Sequence, residues 1–448
     1  MKFRIIIELL RQHMAGADVL PVLLFSVAAL VVLLLALWQW GAGILMALSF
    51  VFTGFLLIAS EIIGGIALIV RFPLVIALVI YAVFSRRNRI HLSPASTVWL
   101  LLPIVMLVNS VRAYYFGDSV LQSFLFLAFF VGVILGGQKI FADERGRAVF
   151  ARTIVFFAII MTCIQIPFFR SAYARFIGAF KSPVGFMIIG TTGVIFLVWF
   201  GMKQKFGSLR FVFYMLFSAL TFTIMVLTGG RTAITGTLLG IVVLLTRRLR
   251  RNVVVLLAVT IILAPIALRI VTSFPGFEDL KHKLFSTRAT GRLELYAHAW
   301  DEIKAKPLVG WGTGASFVKA AHFAGMTYHQ SYLEFAVDHG IPFALLLMFL
   351  FCWYPFRGLL LVRKCQTEEM KDMANLSSAL LAGYVFSSFL GGVLNATTFV
   401  LPVYSAIALQ EGVRAENIEI ERYGLVEYGA QEPWGYDLQE IAAGEVLE

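Results

Sequence analysis

Apolar residues dominate the chain in long runs that recur nearly from end to end. Thirteen stretches read as candidate membrane spans: 19–38, 43–60, 62–84, 97–113, 119–137, 150–169, 183–200, 210–227, 231–246, 253–272, 331–354, 376–394 and 397–410. Runs of about 18 residues or more are long enough to cross roughly 30 Å of hydrocarbon as a helix. A helix inside hydrocarbon must satisfy its own backbone hydrogen bonds, and the alternating segments of about ten residues that mark a transmembrane barrel are missing. The pattern therefore predicts an all-α fold, a polytopic transmembrane helical bundle.

Short basic loops separate the runs and orient them. Arg86-Arg87-Asn88-Arg89, Arg145-Gly146-Arg147, Lys203-Gln204-Lys205, Arg247-Arg248-Leu249-Arg250-Arg251 and Arg363-Lys364 are separated pairwise by an even number of spans, so all of them can face the cytoplasm. Lys2, Arg4 and Arg11 break the agreement, because three spans lie between them and Arg86. Glu61, Gly64, Gly65, Arg71 and Pro73 interrupt the apolar run of 43–84, which reads as the place of a broken or re-entrant helix. The expectation is about 12 true spans with both termini cytoplasmic. Val19 to Leu37 is too long for an ordinary signal sequence and reads as a retained span.

Composition supports this reading and removes other classes. Of 448 residues, 60% are hydrophobic and 14% charged, too little polar surface to clothe a water-soluble enzyme. The net charge of +11 hides a division: 411–448 holds ten acidic residues and two basic ones, leaving 35 basic against 16 acidic elsewhere. The chain divides into a membrane domain, 1–410, and an acidic cytoplasmic tail, 411–448, expected to be disordered or loosely helical. A basic body suits membrane lipids and anionic phosphate ligands. Basic and aromatic residues do not interleave as in a nucleic-acid groove, so nucleic acid is rejected as a partner. Cys163 and Cys352 lie in apolar runs and Cys365 in a basic loop, which forms neither a disulfide frame nor a zinc spacing. No metal and no cofactor are expected.

On this topology the polar stretch 273–330 is a large external loop, and 170–182 and 228–231 are short external connections. Gly291 to Lys304 reads as an amphipathic helix with Leu293, Ala297, Trp300 and Ile303 or Lys304 on one stripe, lying along the membrane face. Pro307 stops it, and Gly310-Trp311-Gly312-Thr313-Gly314 follows as a turn, with neither the preceding strand nor the following Lys-Ser/Thr of a phosphate loop.

The candidate chemistry lies at these outer segments. Arg231, in Thr228-Gly229-Gly230-Arg231-Thr232-Ala233, stands where an apolar helix begins. Its planar guanidinium matches phosphate oxygens; an arginine snorkelling to the interface is the equal alternative. Arg288 and Arg292 are one helical turn apart and can present two cations to a diphosphate, or to a lipid headgroup. His329, in His329-Gln330-Ser331-Tyr332-Leu333-Glu334, can accept a proton near neutral pH or serve as a hydrogen-bonded structural residue. Glu334 and Asp338 follow it at helical spacing, either orienting it or standing as partly solvated carboxylates. His298, His322 and His339 fit no metal-ligand spacing.

These residues carry a likeness. The chain resembles the bacterial O-antigen ligase and O-antigen polymerase superfamily from about Phe176 to Phe343. Gly178-Ala179-Phe180-Lys181-Ser182-Pro183 is similar to the family's Gly-x-Phe-x-x-Pro-Asn, with Val184 in place of the asparagine. Gly230-Arg231-Thr232-Ala233 opens a helix, and Arg292 with Trp300 and the segment from Pro307 to Gly314 follows in the right order. His329-Gln330, then nine residues and Gly340, looks like the ligase pattern, from which Phe343 departs at the last position.

The resemblance implies a GT-C-like helical glycosyltransferase of the bacterial inner membrane with its active site facing the periplasm. Its donor would be an undecaprenyl-diphosphate-linked glycan and its acceptor lipid A core or another glycan, with no metal and inversion at the anomeric carbon. It assigns Arg231 and Arg292 to the diphosphate and His329 to the acceptor hydroxyl or leaving group; Arg288 and Lys181 stand beside them as further candidates for substrate binding. Histidine-to-glycine spacing tilts the reading toward a ligase over a polymerase. A transporter or flippase of lipid-linked glycans is the competitor from another class; it would line a central path with charge, whereas the charges here gather at the outer mouths.

Overall fold

The computed structural model describes residues 41–55, 61–85, 90–165, 183–227, 231–247, 292–324, 328, 330–390 and 397–430. Among these, every regular element is a helix. The first part of the chain forms α1 (Gly43–Phe55), α2 (Glu61–Phe84) and α3 (Pro94–Ser110). A continuous rod then joins α4 (Phe116–Phe129), a π-helical segment (Phe130–Gly136) and α5 (Gly137–Phe141). Next come α6 (Glu144–Gln165), α7 (Pro183–Met202), α8 (Leu209–Leu227) and α9 (Arg231–Leu245). Three short helices, α10 (Arg292–Ala305), α11 (Ala315–Ala324) and α12 (Ser331–His339), precede the long α13 (Ile341–Lys364), α14 (Glu368–Leu390) and α15 (Thr397–Ala430).

Four of the described helical stretches are long and apolar enough to cross a membrane: Phe116–Phe141, Glu144–Gln165, Leu209–Leu227 and Ile341–Lys364. Shorter apolar helices include Gly43–Thr53, Pro94–Ser110, Ile189–Met202 and Ala233–Leu245. The interruption expected within 43–84 does not break α2, which runs for 24 residues through Pro73. Arg71 is buried in it, with its guanidinium 4.8 Å from the centroid of the Phe129 ring. A π face and close packing offset part of the cost of holding that cation away from water.

Small residues let the helices approach. Gly236 and Gly240 of α9 lie against the backbone of α14 at Gly383 and Ala379, and Asn375 donates from α14 to the Leu244 carbonyl at 2.7 Å. These pairs run in opposite order along the chain, so α9 and α14 are antiparallel. Thr237 donates to Thr191 of α7 at 2.9 Å, and Gly240 meets Ile195, so α7 and α9 run in the same direction. Between apolar helices such small-residue contacts and buried hydroxyl bonds replace the hydrophobic drive that lipid cannot supply.

One end of the bundle is a belt of ion pairs. Arg147 of α6, its side chain fully buried, holds Glu369 at 2.7 Å and Glu416 at 2.5 Å. Lys203 reaches Asp372 at 3.9 Å, and Arg247 pairs with both Asp372 and Glu368. The loops around 145–147, 203–205 and 247 thus lie together, as the basic-loop argument requires, while 86–89 falls outside the described residues.

The same belt corrects the reading of the acidic segment. The helix that enters at Thr397 continues past 411 to Ala430 in place of a disordered or loose start. Glu411 is buried between Arg357 and Arg414, and Glu416 lies against Arg147. Carboxylates that count as surface charge in a composition are here matched one by one by arginines from distant helices.

A second correction concerns 331–354, which is not one span. The chain breaks at Gly340, whose φ of 89° and ψ of 165° separate α12 from α13. The spanning helix therefore starts at Ile341, and α12 is a separate helix that packs with α10 and α11.

Candidate functional site

The group of α10, α11 and α12 is built on a turn that the sequence makes glycine-dependent. Gly310, Gly312 and Gly314 all have positive φ, of 67°, 107° and 80°. The turn adds itself to the end of α12: Trp311 N–H donates to the Val337 carbonyl at 2.8 Å and Gly312 N–H to the Asp338 carbonyl at 3.0 Å. Beyond it, Ile341 N–H donates to the Pro307 carbonyl at 2.7 Å. Thr313 donates its hydroxyl to the Met106 carbonyl at 2.6 Å and accepts from Ser119 at 2.8 Å, which fixes the turn on α3 and α4.

Asp338 and His339 complete this anchor. The Asp338 carboxylate accepts from Gly314 N–H at 3.1 Å and Ser316 N–H at 2.6 Å, capping the start of α11. Asn109 of α3 donates to His339 Nδ1 at 3.0 Å. Burial pushes His339 down to about 3, so its ring is neutral. Neither Glu334 nor Asp338 is the solvated carboxylate of the sequence reading: both are buried, and Asp338 serves the glycine turn.

Burial also pushes the Asp338 carboxyl up to about 7 against the two backbone bonds that favour its charge. A folded-state value raised above the unfolded 3.8 gives stability that is fully present below that pH and is lost as pH rises through about 7. The melting temperature of the protein relative to Asp338→Asn should therefore fall between pH 4 and 7. A difference that is flat over this interval would contradict the assignment.

The amphipathic helix expected at 291–304 is present as α10, but its inward stripe is Leu295, Ala299 and Ile303. Leu293 and Trp300 stay exposed at 67% and 50%, and Ala297 and Lys304 share their face. The stripe read from sequence is thus the outward one. Its partner stripe was missed because Glu294 and His298 interrupt the apolar spacing.

Around α10 lies a polar group that sequence reasoning did not assemble. His298 Nδ1 is 2.9 Å from the hydroxyl of Tyr328, and its Nε2 is 3.8 Å from Glu302. Lys319 pairs with Glu302 at 2.6 Å. Trp311 donates its indole N–H to the Glu302 carbonyl at 3.0 Å, and the ammonium groups of Lys306 and Lys319 lie 3.9 and 3.6 Å from its ring centroid. Only the His298/Glu302 spacing of four residues was visible along the chain; the rest is brought together by the turn.

Two of the sequence-derived site residues fall at helix starts. Arg231 is the first residue of α9 and Arg292 the first of α10; their backbone positions are described, their side chains are not. His329, Lys181 and Arg288 lie outside the described residues. Gln330, next to His329 in sequence, is the N-cap of α12, its side chain accepting from Leu333 N–H at 2.5 Å. α7 begins at Pro183, two positions after Lys181.

These starts share one end of the bundle, opposite the ion-pair belt. Because α9 runs antiparallel to α14, Arg231 lies toward the end of α14. Tyr332, near the start of α12, packs on Phe389 at that same end, with ring centroids 4.7 Å apart. The starts of α7 and α9 lie together by the Thr191 to Thr237 bond. α10 and α12 run in the same direction, since His298 meets Tyr328 and Glu302 meets the Trp311 turn bound to Val337. Each helix start carries the positive end of a backbone dipole, and free N–H groups there favour anions.

Among the described residues the fold is that of an all-helical membrane protein in which Arg231 and Arg292 each begin a helix at the end away from the charged belt. Residues 216–349 match the family model described as O-antigen ligase, which supports the O-antigen ligase-like superfamily for this chain. The match runs from within α8 through α9, α10, α11 and α12 into α13, less than a third of the chain. No curated protein matches the chain.

Proposed function

We propose that the protein is a glycosyltransferase that moves a glycan from undecaprenyl diphosphate to an acceptor hydroxyl at the periplasmic face of the inner membrane. The observation that carries the reading is the convergence of the starts of α9, α10 and α12 within the family-matched region. In this reading the chain has about 12 spans in a GT-C-like arrangement with both termini cytoplasmic.

The acceptor oxygen attacks the anomeric carbon as the bond to the diphosphate oxygen breaks, and the electron pair leaves with the diphosphate. Single displacement inverts the anomeric centre. His329 takes the proton of the attacking hydroxyl. Negative charge grows on the leaving diphosphate, where Arg231 and Arg292, helped by Arg288, Lys181 and the helix starts, stabilise the transition state more than the ground state. Guanidinium groups thereby supply the positive charge for which many phosphate-handling enzymes use a divalent cation.

The preferred acceptor is lipid A core, which makes the protein an O-antigen ligase; addition to a second lipid-linked glycan makes it a polymerase. Purified protein given a defined undecaprenyl-diphosphate glycan and both acceptors separately decides between them. Product on lipid A core alone is the expected result, and product on the second glycan alone would establish the polymerase.

A further inference from the structure

A buried aromatic side chain keeps a hydroxyl only at a cost. Phenylalanine packs as tyrosine does, and a buried phenol without a partner gives up its bonds to water for nothing in return. Tyr332, in the first turn of α12, is 6% exposed, and its ring lies on Phe389 with centroids 4.7 Å apart. Its hydroxyl has no hydrogen-bond partner among the described residues. Packing accounts for the ring and leaves the hydroxyl unexplained.

Position separates Tyr332 from other unpaired groups. Trp99 Nε1 and the Tyr404 hydroxyl are also unpaired among the described residues, but their rings meet edge-on at 5.7 Å within the core. Along α3, Trp99 stands closer to Ser93, which donates to Glu411 of the belt, than to Asn109 at the other end. Tyr332 lies away from the belt. Gly236 of α9 rests against Ser387, so Phe389, slightly further along the antiparallel α14, is level with the first turn of α9. Tyr332 thus brings an unpaired hydroxyl to the end where α9 and α12 begin, inside the family-matched region.

Burial raises the phenol above its ordinary range, so it keeps its proton and has it to donate. A hydroxyl bound to a charged oxygen makes a short hydrogen bond, about twice as strong as one between neutral groups.

We propose that the Tyr332 hydroxyl donates to a diphosphate oxygen of the lipid-linked glycan. The inference rests on the function proposed above and adds a substrate-binding residue to it. As the glycosidic bond breaks, the diphosphate gains charge and the hydrogen bond strengthens. Removing the hydroxyl should therefore weaken donor binding and slow turnover, without harm to the fold.

The test uses the full chain purified in detergent, with undecaprenyl diphosphate and undecaprenol as probes. Without lipid, Tyr332→Phe should melt no lower than the parent, because no bond within the protein is lost. Undecaprenyl diphosphate should bind the variant about tenfold more weakly, read as a smaller rise in melting temperature at equal lipid concentration. Undecaprenol, which has no phosphate, should bind parent and variant alike. With a defined undecaprenyl-diphosphate glycan and its acceptor, kcat should fall as well.

A lower melting temperature of Tyr332→Phe without lipid would give the hydroxyl a partner inside the protein and overturn the inference. An equal loss of undecaprenol binding would assign the residue to the lipid chain and overturn it too. Undecaprenyl diphosphate that binds parent and variant equally removes the role of Tyr332 alone. A parent that does not bind undecaprenyl diphosphate removes the donor assignment and the inference with it.

Discussion

Arg231→Lys should lower glycan transfer by roughly a hundredfold while the protein still inserts, purifies and melts as the parent does. Arg231 is the first residue of α9, at the end where α10 and α12 also begin. Lysine keeps the charge and the helix, so a residue needed only for snorkelling or for orientation of the span would tolerate the change. What lysine loses is the planar fork that binds two phosphate oxygens at once, and with it the alignment of charge on the leaving diphosphate. The transfer rate should fall at saturating donor as well as at low donor, since the interaction strengthens as the bond breaks. Full activity in Arg231→Lys would return the residue to the snorkelling reading.

Gly340→Ala should cost about 3 kcal/mol of stability, seen as a lowered melting temperature in detergent, and transfer activity should fall with it. At φ 89° and ψ 165° the backbone lies in a region essentially reserved for glycine. A Cβ would also run into the carbonyl of Leu308, which is backbone and cannot swing aside. Gly340 holds the break between α12 and α13 and the docking of the 306–314 turn on α12, so relief of the clash must move the helix whose start is capped by Gln330. A variant that melts and transfers like the parent would mean that the break is fixed by other contacts.

Much of this architecture was legible along the chain, and the failures have physical causes. Helix boundaries in the apolar body came within a few residues for α8 and α9, because a membrane span is announced by its own composition. The 331–354 span failed because mean apolarity across Gly340 outweighed the local stop and start, a glycine followed by Pro342 in the first turn of α13. The acidic segment misled because composition counts charges without their partners: Glu411 and Glu416 are neutralised by Arg357 and Arg147, far away in sequence. The glycine turn was read as a turn, but its seat on Met106, Ser119 and Asp338 is tertiary. Helix starts at Arg231 and Arg292 were foreseen from local signals, whereas their common end follows from helix directions. Tyr328 had no local mark at all, since its partner His298 lies 30 residues away.

The proposed enzyme makes a glycosidic bond with a diphosphate as leaving group. The most direct measurement places the purified, unaltered protein in sealed vesicles with a labelled undecaprenyl-diphosphate glycan and lipid A core, and follows both products. Glycan should appear on the acceptor with release of one undecaprenyl diphosphate for each bond formed. Intact lipid-linked glycan crossing the vesicle membrane, with no transfer to any acceptor, would contradict it and identify a transporter.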